Sequence, residues 1–510
     1  MIGTATYLYK FSVPCCTNHY PVKHHALTLL LLLFSSAGMA QEHGAQWFVG
    51  PLPSSVLDFR NDTITNYLLT SDIPTTFTTA CISDEVGNLL YMSNGLYVTD
   101  KYGEPLVNGD SLSPCPYSSQ YTSYGLNITQ AALFLPKPDD SRYYYLFHYS
   151  NDTLNSIRPG TLYYSVIDKQ GNFGLGEVVR KNIVFAKGRF REGGMTACKH
   201  ANGRDWWIVM GKLNSNGFYK FLLTPDTILG PYLQNIGATY SMPYDWAYSK
   251  FSQDGSKFAT GAVVGYVTVM NFDRCSGEFS NPIQIYNETG TNPSNFSETG
   301  CASLEFSPNS QLLYVPNRIN LTQYDLNAIN IQDSVELHFI DSGDLAQMDL
   351  LQLGPNGKVY LSCWSGGFYI LHVINRPDEK GDSCNFVFGG ITTLSANTHN
   401  IPNLINYKLG PLLGSGCDTI ETDIRDERID KRQQPRIQPN PADKYMYIEM
   451  PAQGNYVFEL INEQGPVVER KETRQVDIIN TEALPGGVYF LKVTTTKTTN
   501  TSSTRVVVQH

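Results

Sequence analysis

Six short turn sequences, each set between two apolar stretches, recur between residues 46 and 411 and restrict the fold more than any other feature of the chain. The turns are rich in Asp, Asn and Gly, which supply the positive φ angles that a tight β-hairpin needs. The hairpins begin at Ile82, Phe134, Lys199, Phe251, Phe306 and Leu353. Hairpins that repeat at roughly 40–50 residues are typical of propeller blades, each a four-stranded sheet beside a central channel. The spacings in this chain are slightly longer, which implies loops beyond the minimal blade.

The chain is therefore predicted to be all-β, with a β-propeller at residues 41–412. Seven blades are the estimate, and six or eight remain alternatives. Residues 376–411 are expected to supply the last blade, closed by the early strand Gln46–Val49. Such closure is favoured because it removes exposed sheet edges. An array of β-sandwiches with chance spacing is the competing interpretation.

Composition agrees with an all-β chain and excludes some functional classes. Charged residues make up 16% of the 510 residues, and aromatic residues 12%. Soluble proteins usually have about 25% charged residues, so this chain has little of the composition of a helical bundle. The formal net charge is −10 and no dense stripe of Lys or Arg occurs, which argues against nucleic-acid binding.

The beginning of the chain has the pattern of a secretory signal. Lys23 precedes a leucine-rich apolar run at residues 26–34, and the small residues Gly38 and Ala40 follow it. The run is too short to cross a bilayer, which takes about 20 residues, and small residues are needed at a cleavage site. Residues 1–40 are therefore predicted to be a signal peptide, cleaved near Ala40, and the mature chain to have no transmembrane segment.

The cysteines fit an exported protein. Removing Cys15 and Cys16 with the signal peptide leaves eight of the ten cysteines, an even number that permits disulfides. The sequence does not assign the pairs, although Cys363 with Cys384 is the simplest guess because the two lie close in the chain. No Cys-x-x-Cys occurs, so neither a zinc site nor a redox dithiol is predicted.

Composition changes twice near the end of the chain. Residues 413–434 are charged and almost free of large apolar residues, which is typical of a linker. Residues 435–510 contain six short stretches of strand-like alternation, separated by turns such as 485–487. They are predicted to form a small Ig-like antiparallel β-sandwich.

The tail also carries ordered motifs: an early Pro-Asn-Pro, a later Gly-Gly-Val-Tyr and a closing strand of a basic residue followed by valines. In this order, at residues 435–510, they resemble the type A C-terminal sorting domain of the type IX secretion system of Bacteroidetes bacteria. The resemblance implies export by the type IX secretion machinery and a secreted or outer-membrane-surface location. The residues of the implied sorting signal are Pro439, Asn440, Pro441, Gly486, Gly487 and Tyr489. An ordinary Ig-like accessory module is the competing interpretation.

The repeat region is similar to the propeller-like, WD40-like ectodomains that often precede such tails. The similarity rests on short motifs that include Leu-Gly-Pro-Asn-Gly-Lys-Val-Tyr at 353–360 and Ile-Pro-Asn-Leu at 401–404. Most members of this group have no assigned activity. The resemblance therefore implies a fold and a location, and it does not imply a reaction.

Motifs of known chemistry are absent from the sequence. It contains no zinc-protease motif, no Gly-x-Ser-x-Gly elbow, no phosphate loop, no dinucleotide fingerprint and no EF-hand calcium loop. No catalytic residue, metal ligand or cofactor is therefore predicted. The candidate ligand-binding residues are His200, Trp206, Trp207, Tyr244 and Trp246. Rings on loops stack on sugars or hold a protein partner, whereas packing between blades and a satisfied strand-end histidine are the competing interpretations.

Two functions of different classes follow. The first is a non-enzymatic binding or scaffold protein that holds a surface glycan or an envelope protein through the propeller loops. The alternative is a secreted carbohydrate-active enzyme, a hydrolase or lyase, with carboxylates at the propeller mouth. The carboxylates available to it are Asp84, Glu85, Asp205, Asp245 and Glu305.

Overall fold

The chain forms two compact units, divided after Asp418. The computed structural model describes residues 42–51, 53–70, 74–116, 118–120, 122, 125–153, 156–240, 247–262, 266–286, 301, 303–317, 320–332, 334–339, 346–364, 367–397, 399–418, 435–450, 453–462, 467–495 and 501–510. The predicted signal peptide and most of the predicted linker lie outside the described residues, so both stay predictions. Within the described part of the chain, no helix is long and apolar enough to span a membrane.

The first unit is built almost entirely of strands, as the turn chemistry predicts. The strands are β1 (Gln46–Val49), β2 (Ser54–Asp58), β3 (Thr65–Leu69), β4 (Ala80–Ser83), β5 (Leu89–Ser93), β6 (Val98–Thr99), β7 (Ala132–Pro136), β8 (Tyr143–Thr153), β9 (Ser156–Asp168), β10 (Glu177–Lys187), β11 (Thr196–Lys199), β12 (Trp206–Gly211), β13 (Ser215–Leu223), β14 (Ile228–Tyr240), β15 (Ala247–Phe251), β16 (Lys257–Ala262), β17 (Tyr266–Phe272), β18 (Phe279–Tyr286), β19 (Glu305–Phe306), β20 (Leu312–Pro316), β21 (Asn320–Asp325), β22 (Ser334–Phe339), β23 (Met348–Leu353), β24 (Val359–Cys363), β25 (Phe368–Ile374) and β26 (Phe386–Asn397). Short helical turns are Ser118–Gln120, Gly171–Gly174 and Gly381–Cys384.

These strands form seven sheets in chain order, each an antiparallel meander of neighbouring strands. Sheet 1 (β1–β3) and sheet 2 (β4–β6) have three strands, and sheet 3 (β7–β10), sheet 4 (β11–β14), sheet 5 (β15–β18), sheet 6 (β19–β22) and sheet 7 (β23–β26) have four. The prediction of an all-β propeller is confirmed. The number of blades stays a prediction, although seven sheets occur among the described residues.

The six predicted hairpins occupy the equivalent position in six successive sheets. Each turn connects the first strand of a sheet to the second, in sheets 2 to 7. The recurring Asp, Asn and Gly residues therefore mark the start of each sheet. Sheet 1 lacks such a turn, since its first two strands are joined by a different sequence that begins at Gly50.

The predicted closing arrangement is wrong. Gln46–Val49 pairs with β2 in a sheet of its own, and β26 is the fourth strand of sheet 7. Sheets 1 and 7 contact each other through side chains: the Ser55 Oγ accepts the backbone N–H groups of Leu394 and Ser395 (2.8 and 2.9 Å). In return, the Ser395 Oγ accepts the N–H of Ser55 (3.1 Å).

Aromatic pairs join neighbouring sheets of this unit. Trp47 of sheet 1 meets Tyr360 of sheet 7 edge to face, with ring centroids 5.5 Å apart. Phe185 of sheet 3 meets Phe221 of sheet 4 in the same way at 5.0 Å. Such pairs add about 0.5–1.5 kcal/mol each beyond the burial of their area. Much of the aromatic content of the chain therefore serves packing between sheets.

His148 on β8 is a fully buried histidine held between two hydroxyl groups. Its Nδ1 lies 2.9 Å from the Ser113 Oγ and its Nε2 lies 3.0 Å from the Ser165 Oγ. Burial lowers the pKa of His148 to about 3 because the charged imidazolium would lose its hydration. The folded protein therefore holds His148 in the neutral form at physiological pH.

His148 should make the first unit less stable in acid. The unfolded chain takes up a proton near pH 6.5 and the folded state does not, so stability is full above that pH and falls by about 1.4 kcal/mol per unit below it. We expect a loss of about 2 kcal/mol between pH 6.5 and 5 from this residue. Urea unfolding at several pH values measures it, and His148→Gln should show a shallower fall. An equal slope in both proteins would contradict this assignment.

One disulfide, Cys275–Cys417, is present among the described cysteines, with Cα atoms 5.7 Å apart. Cys363 and Cys384 are separate buried thiols, so the guess that they pair is wrong. Cys363 lies on β24, whereas Cys384 ends a helical turn that precedes β26. Nearness in sequence did not identify the pair because the disulfide joins residues 142 positions apart.

The second unit is a sandwich of two antiparallel sheets, as predicted. Its strands are β27 (Arg436–Gln438), β28 (Tyr445–Glu449), β29 (Tyr456–Asn462), β30 (Val467–Thr473), β31 (Val476–Asn480), β32 (Gly487–Thr495) and β33 (Thr501–Val508). One sheet has the order β27-β28-β31 and the other β30-β29-β32-β33. Alternating side chains of both sheets, among them Met446, Phe458 and Leu491, form its core.

Candidate functional site

Residues 399–412, which we call the axial segment, follow sheet 7 and run past the first strands of the other sheets. Near its start, the Asn400 Nδ2 donates a hydrogen bond to the Thr75 carbonyl (2.9 Å). Near its end, the Tyr407 hydroxyl donates to the Phe134 carbonyl (2.9 Å). The first strands of the blades line the central channel of a propeller. The chain therefore fills its own channel.

Asn403 ties the middle of the axial segment to three sheets. Its Nδ2 donates to the carbonyls of Ala132 and Met195 (both 3.1 Å), and its Oδ1 accepts from the Gln130 Nε2 (3.2 Å). Its backbone N–H donates to the Thr79 carbonyl (2.9 Å). A short amide side chain that makes all these bonds requires a fixed position, so the segment is an integral part of the unit.

A buried polar network holds the next residue of the segment. The Lys250 Nζ donates to the Gln352 Oε1 (2.6 Å) and to the Leu404 carbonyl (3.0 Å), and it lies 3.5 Å from the Glu305 Oε2. Lys250, Glu305 and Gln352 come from the first strands of sheets 5, 6 and 7. Three consecutive sheets thus contribute one polar side chain each to the wall of the channel.

The charges of this network are balanced by their surroundings. Burial lowers the pKa of Lys250 and raises the pKa of Glu305, while the attraction between the two groups acts in the opposite direction. The Glu305 carboxylate also accepts the backbone N–H groups of Phe306 and Leu353 (both 3.0 Å). A satisfied buried pair of this kind fixes the position of the chain. Loss of either partner leaves the other as an uncompensated buried charge.

A cavity of about 300 Å³, which we call the recess, lies where the first strands end and the axial segment leaves the channel. Its lining includes Glu42, Lys250, Phe251, Ser252, Glu305, Gln352, Leu353, Ile405, Lys408 and Leu409. At the rim, the Lys408 Nζ meets the Glu42 carboxylate at 2.7 Å, with both side chains partly exposed. Apolar walls with a few fixed polar groups are characteristic of ligand sites, and this volume is at the small end of their range.

Sequence reasoning missed Lys250 and Gln352, although a signal was present. In three consecutive hairpins, a charged or amide residue stands directly before the apolar residue that opens the turn. These residues are Lys250, Glu305 and Gln352. A polar residue at one repeated position of a buried first strand indicates a polar network at the channel wall.

His200 and Trp207, predicted as ligand-binding candidates, support a loop. The His200 Nε2 lies 3.0 Å from the Cys275 carbonyl, and its Nδ1 accepts the backbone N–H of Asn202. The Trp207 Nε1 donates to the Arg274 carbonyl (2.9 Å). Both side chains are buried and neither lines the recess. Their structural role is to hold the loop that carries the disulfide.

Trp206, another candidate, faces the axial segment. It is fully buried and meets Tyr407 edge to face, with ring centroids 6.0 Å apart. The Lys199 Nζ lies 4.1 Å above its ring, and burial lowers the pKa of Lys199 to about 8. Tyr244 and Trp246 lie outside the described residues. Ligand binding by these five candidates stays a prediction.

The carboxylates considered for an enzyme are engaged elsewhere wherever they are described. Asp84 accepts hydrogen bonds within its own turn, and Glu85 lies 3.4 Å from the Lys169 Nζ. Asp205 pairs with Arg204 at 2.8 Å, and Glu305 belongs to the channel network. Asp245 lies outside the described residues. Among the described residues, no group of three or more His, Cys, Asp or Glu is placed to hold a metal ion.

The predicted sorting residues meet at one end of the second unit. The Asn440 Oδ1 accepts the backbone N–H of Val507 on the closing strand (2.9 Å). Next to it, the N–H of Ala442 donates to the Val507 carbonyl (2.7 Å). The Tyr489 hydroxyl donates to the Pro485 carbonyl (2.8 Å). The early Pro-Asn-Pro motif and the last strand of the chain thus form one structural element.

A family model for the secretion system C-terminal sorting domain matches residues 436–509, which include both motifs and β33. The tail is a type IX secretion sorting domain. The chain is therefore cargo of the type IX secretion system with a propeller-like fold. The sorting domain implies the secretion machinery as a partner, and export to the cell surface or the medium.

Several solved structures are similar to this chain in fold. One is PorZ, an essential bacterial surface component of the type-IX secretion system of Porphyromonas gingivalis (10% identity, 89% of this chain and 68% of that chain, TM-score 0.31). Others are the Swd1 β-propeller domain of Myceliophteria thermophila (10% identity, 63% and 90%, TM-score 0.38) and the WD40 domain of Toxoplasma gondii coronin (11% identity, 72% and 79%, TM-score 0.29). No curated protein matches the chain.

Proposed function

We propose that the exported propeller is a binding or scaffold protein of the cell surface or medium, without catalysis, whose ligand is a surface glycan or an envelope protein. The observation that carries the proposal is the axial segment. A channel filled by Asn403 and its neighbours leaves binding to the mouths and loops, where the recess offers apolar walls beside fixed polar groups.

Two further observations support binding over catalysis. Each described carboxylate of the enzyme alternative already has a cation or a turn amide as its partner. The buried network at the recess uses its donors and acceptors internally, which suits a rigid wall better than a proton-transfer group.

The test uses the full-length protein on arrays of bacterial surface polysaccharides and in pull-downs from purified outer membranes. We expect a specific ligand, bound at least tenfold more weakly by Ile405→Glu, which places a charge in the recess. Leu413→Glu, at an exposed position outside the recess, is the matched control and should bind normally. Turnover of a polysaccharide without stable binding would overturn the proposal in favour of a carbohydrate-active enzyme.

A further inference from the structure

Lys250 and Gln352 bring an amine and a carboxamide into contact inside the channel wall. The Lys250 Nζ lies 2.6 Å from the Gln352 Oε1, although the two residues stand 102 positions apart, on β15 and β23. Both side chains are buried, and that of Lys250 is only 4% exposed. A desolvated amine is a strong nucleophile once it has lost its proton, and the carbon of an amide is an electrophile. The pair therefore holds the two reacting groups of an amide exchange.

Glu305 lies where it can take a proton from this amine. Its Oε2 is 3.5 Å from the Lys250 Nζ, and its side chain is 1% exposed. Burial raises the pKa of Glu305 and lowers the pKa of Lys250, so both shifts favour a neutral acid beside a neutral amine. A carboxylate within reach of a nucleophile is the usual general base for it. The third member of the network can therefore activate the first.

Backbone groups hold the carboxamide of Gln352 on both sides. Its Oε1 also accepts the N–H of Leu404 (3.3 Å), and its Nε2 donates to the Leu353 carbonyl (3.2 Å). A fixed N–H aimed at a carbonyl oxygen stabilises the negative charge that develops there when an amine attacks the carbon. The recess, which Lys250, Glu305 and Gln352 all line, offers a way out for a molecule as small as ammonia. The site thus fixes the electrophile and provides an exit for its leaving group.

We propose that Lys250 and Gln352 become joined by an intramolecular isopeptide bond, with Glu305 as the proton carrier. The Lys250 ammonium gives one proton to the Glu305 carboxylate, and the neutral Nζ attacks the Gln352 Cδ. The new bond from Nζ to Cδ forms as the bond from Cδ to Nε2 breaks. The departing nitrogen takes up the proton held by Glu305 and the second proton released by Nζ. Ammonium therefore leaves, the Glu305 carboxylate is restored, and no oxidant or cofactor takes part.

The bond ties sheet 5 to sheet 7, with sheet 6 between them in the order of the chain. A cross-link that closes so long a loop stabilises a fold mainly by restricting the unfolded chain. Because all the reacting groups belong to the chain itself, the reaction happens once in each molecule and acts on no external substrate. It is therefore compatible with a propeller that binds without turnover.

Peptide mapping of the full-length protein by mass spectrometry, after reduction and digestion with trypsin, tests the bond. We expect a branched peptide that joins residues 221–257 to residues 319–358, because trypsin does not cleave after a lysine whose amine is an amide. Its mass should be about 17 Da below the sum of the two parts, since one ammonia is lost. The mass of the intact protein is not sufficient, because an amino-terminal glutamine, as predicted at Gln41, loses ammonia in the same way.

Three variants separate the roles of the three residues. Lys250→Met and Gln352→Met should each lack the branched peptide. Glu305→Gln should lack it too, although both reacting groups are present, in protein whose tryptophan fluorescence is that of the native fold. Lys408→Met, at the rim of the same recess, is the control and should keep the branched peptide.

Complete cleavage after Lys250 in the native protein, with no branched peptide, would overturn the isopeptide bond and leave the three residues as a hydrogen-bonded network. A full yield of the branched peptide from Glu305→Gln would overturn the role of Glu305 as the proton carrier.

Discussion

Removal of the Cys275–Cys417 disulfide should lower the free energy of unfolding of the first unit by about 5 kcal/mol. The bond closes a loop of 142 residues that contains sheets 6 and 7 and the axial segment, and the stabilisation from such a cross-link grows with loop length. The comparison is between the native protein and Cys275→Ser/Cys417→Ser in guanidinium. All five tryptophans precede residue 365, so fluorescence reports the first unit alone.

The loss of stability that follows removal of the disulfide should also appear locally, in the axial segment. Cys417 lies five residues after the end of the segment at 412, so without the disulfide the backbone N–H of Asn403 should exchange with solvent faster than in the native protein. Cys115→Ser is the matched control, because this partly exposed thiol is unpaired and a hydroxyl can keep its contact with Ser118. Equal unfolding midpoints for the native and double-serine proteins would contradict the role given to the disulfide.

Breaking the buried ion pair should have the second largest effect. Glu305→Gln keeps the shape of the side chain but leaves Lys250 as an uncompensated buried charge, and we expect a loss of about 3–5 kcal/mol. The Gln amide also cannot accept from both Phe306 and Leu353 as the carboxylate does. Guanidinium unfolding followed by tryptophan fluorescence measures the loss.

Lys408→Met is the control for the ion pair, since it breaks the exposed Lys408–Glu42 pair at the rim of the same recess. We expect it to cost about 0.5 kcal/mol, as exposed pairs are screened by water. The double variant Lys250→Met/Glu305→Leu should recover part of the loss seen with Glu305→Gln, because neither charge remains. A smaller loss of stability for Glu305→Gln than for Lys408→Met would show that the Lys250–Glu305 pair does not hold the channel wall.

The sheets of the propeller could be predicted because their turns are encoded locally. Asp254-Gly255 and Asn356-Gly357 each carry a glycine with positive φ, and the flanking apolar residues form the paired strands. A short stretch of sequence contains this whole signal. Sheet 1 could not be predicted as a separate sheet because its first turn lacks that chemistry.

The axial segment could not be predicted because its contacts are distant in sequence. Asn403 bonds to Ala132, 271 residues earlier, and nothing in the neighbourhood of either residue indicates the other. The sequence instead places the motif at 401–404 in the predicted last blade. The contact between His399 and Asp349 is equally hidden from the sequence, since the two residues lie 50 positions apart.

The aromatic candidates show a different limit of prediction from sequence. Trp206 and Trp207 are adjacent, so they point to opposite faces of β12, and in this sheet both faces are buried against neighbours. A pair of consecutive aromatic residues therefore fits a strand inside a propeller as well as a ligand-binding loop. Only the packing of the neighbouring sheets decides between the two.

The tail could be predicted well because its motifs are short, ordered and confined to residues 435–510. What sequence could not show is that Asn440 bonds to Val507, which joins the first motif to the final strand. The two ends of the sorting domain therefore depend on each other. A change at either end should affect the fold of the whole domain.

The central claim is that the tail exports the propeller. The most direct measurement compares the full-length protein with a variant lacking residues 435–510, in a bacterium with a type IX secretion system, by protease accessibility on intact cells and by fractionation. A periplasmic reporter that carries residues 435–510 is the control and should reach the surface or medium. The account predicts that the truncated protein stays in the periplasm. Normal surface display of the truncated protein would contradict it.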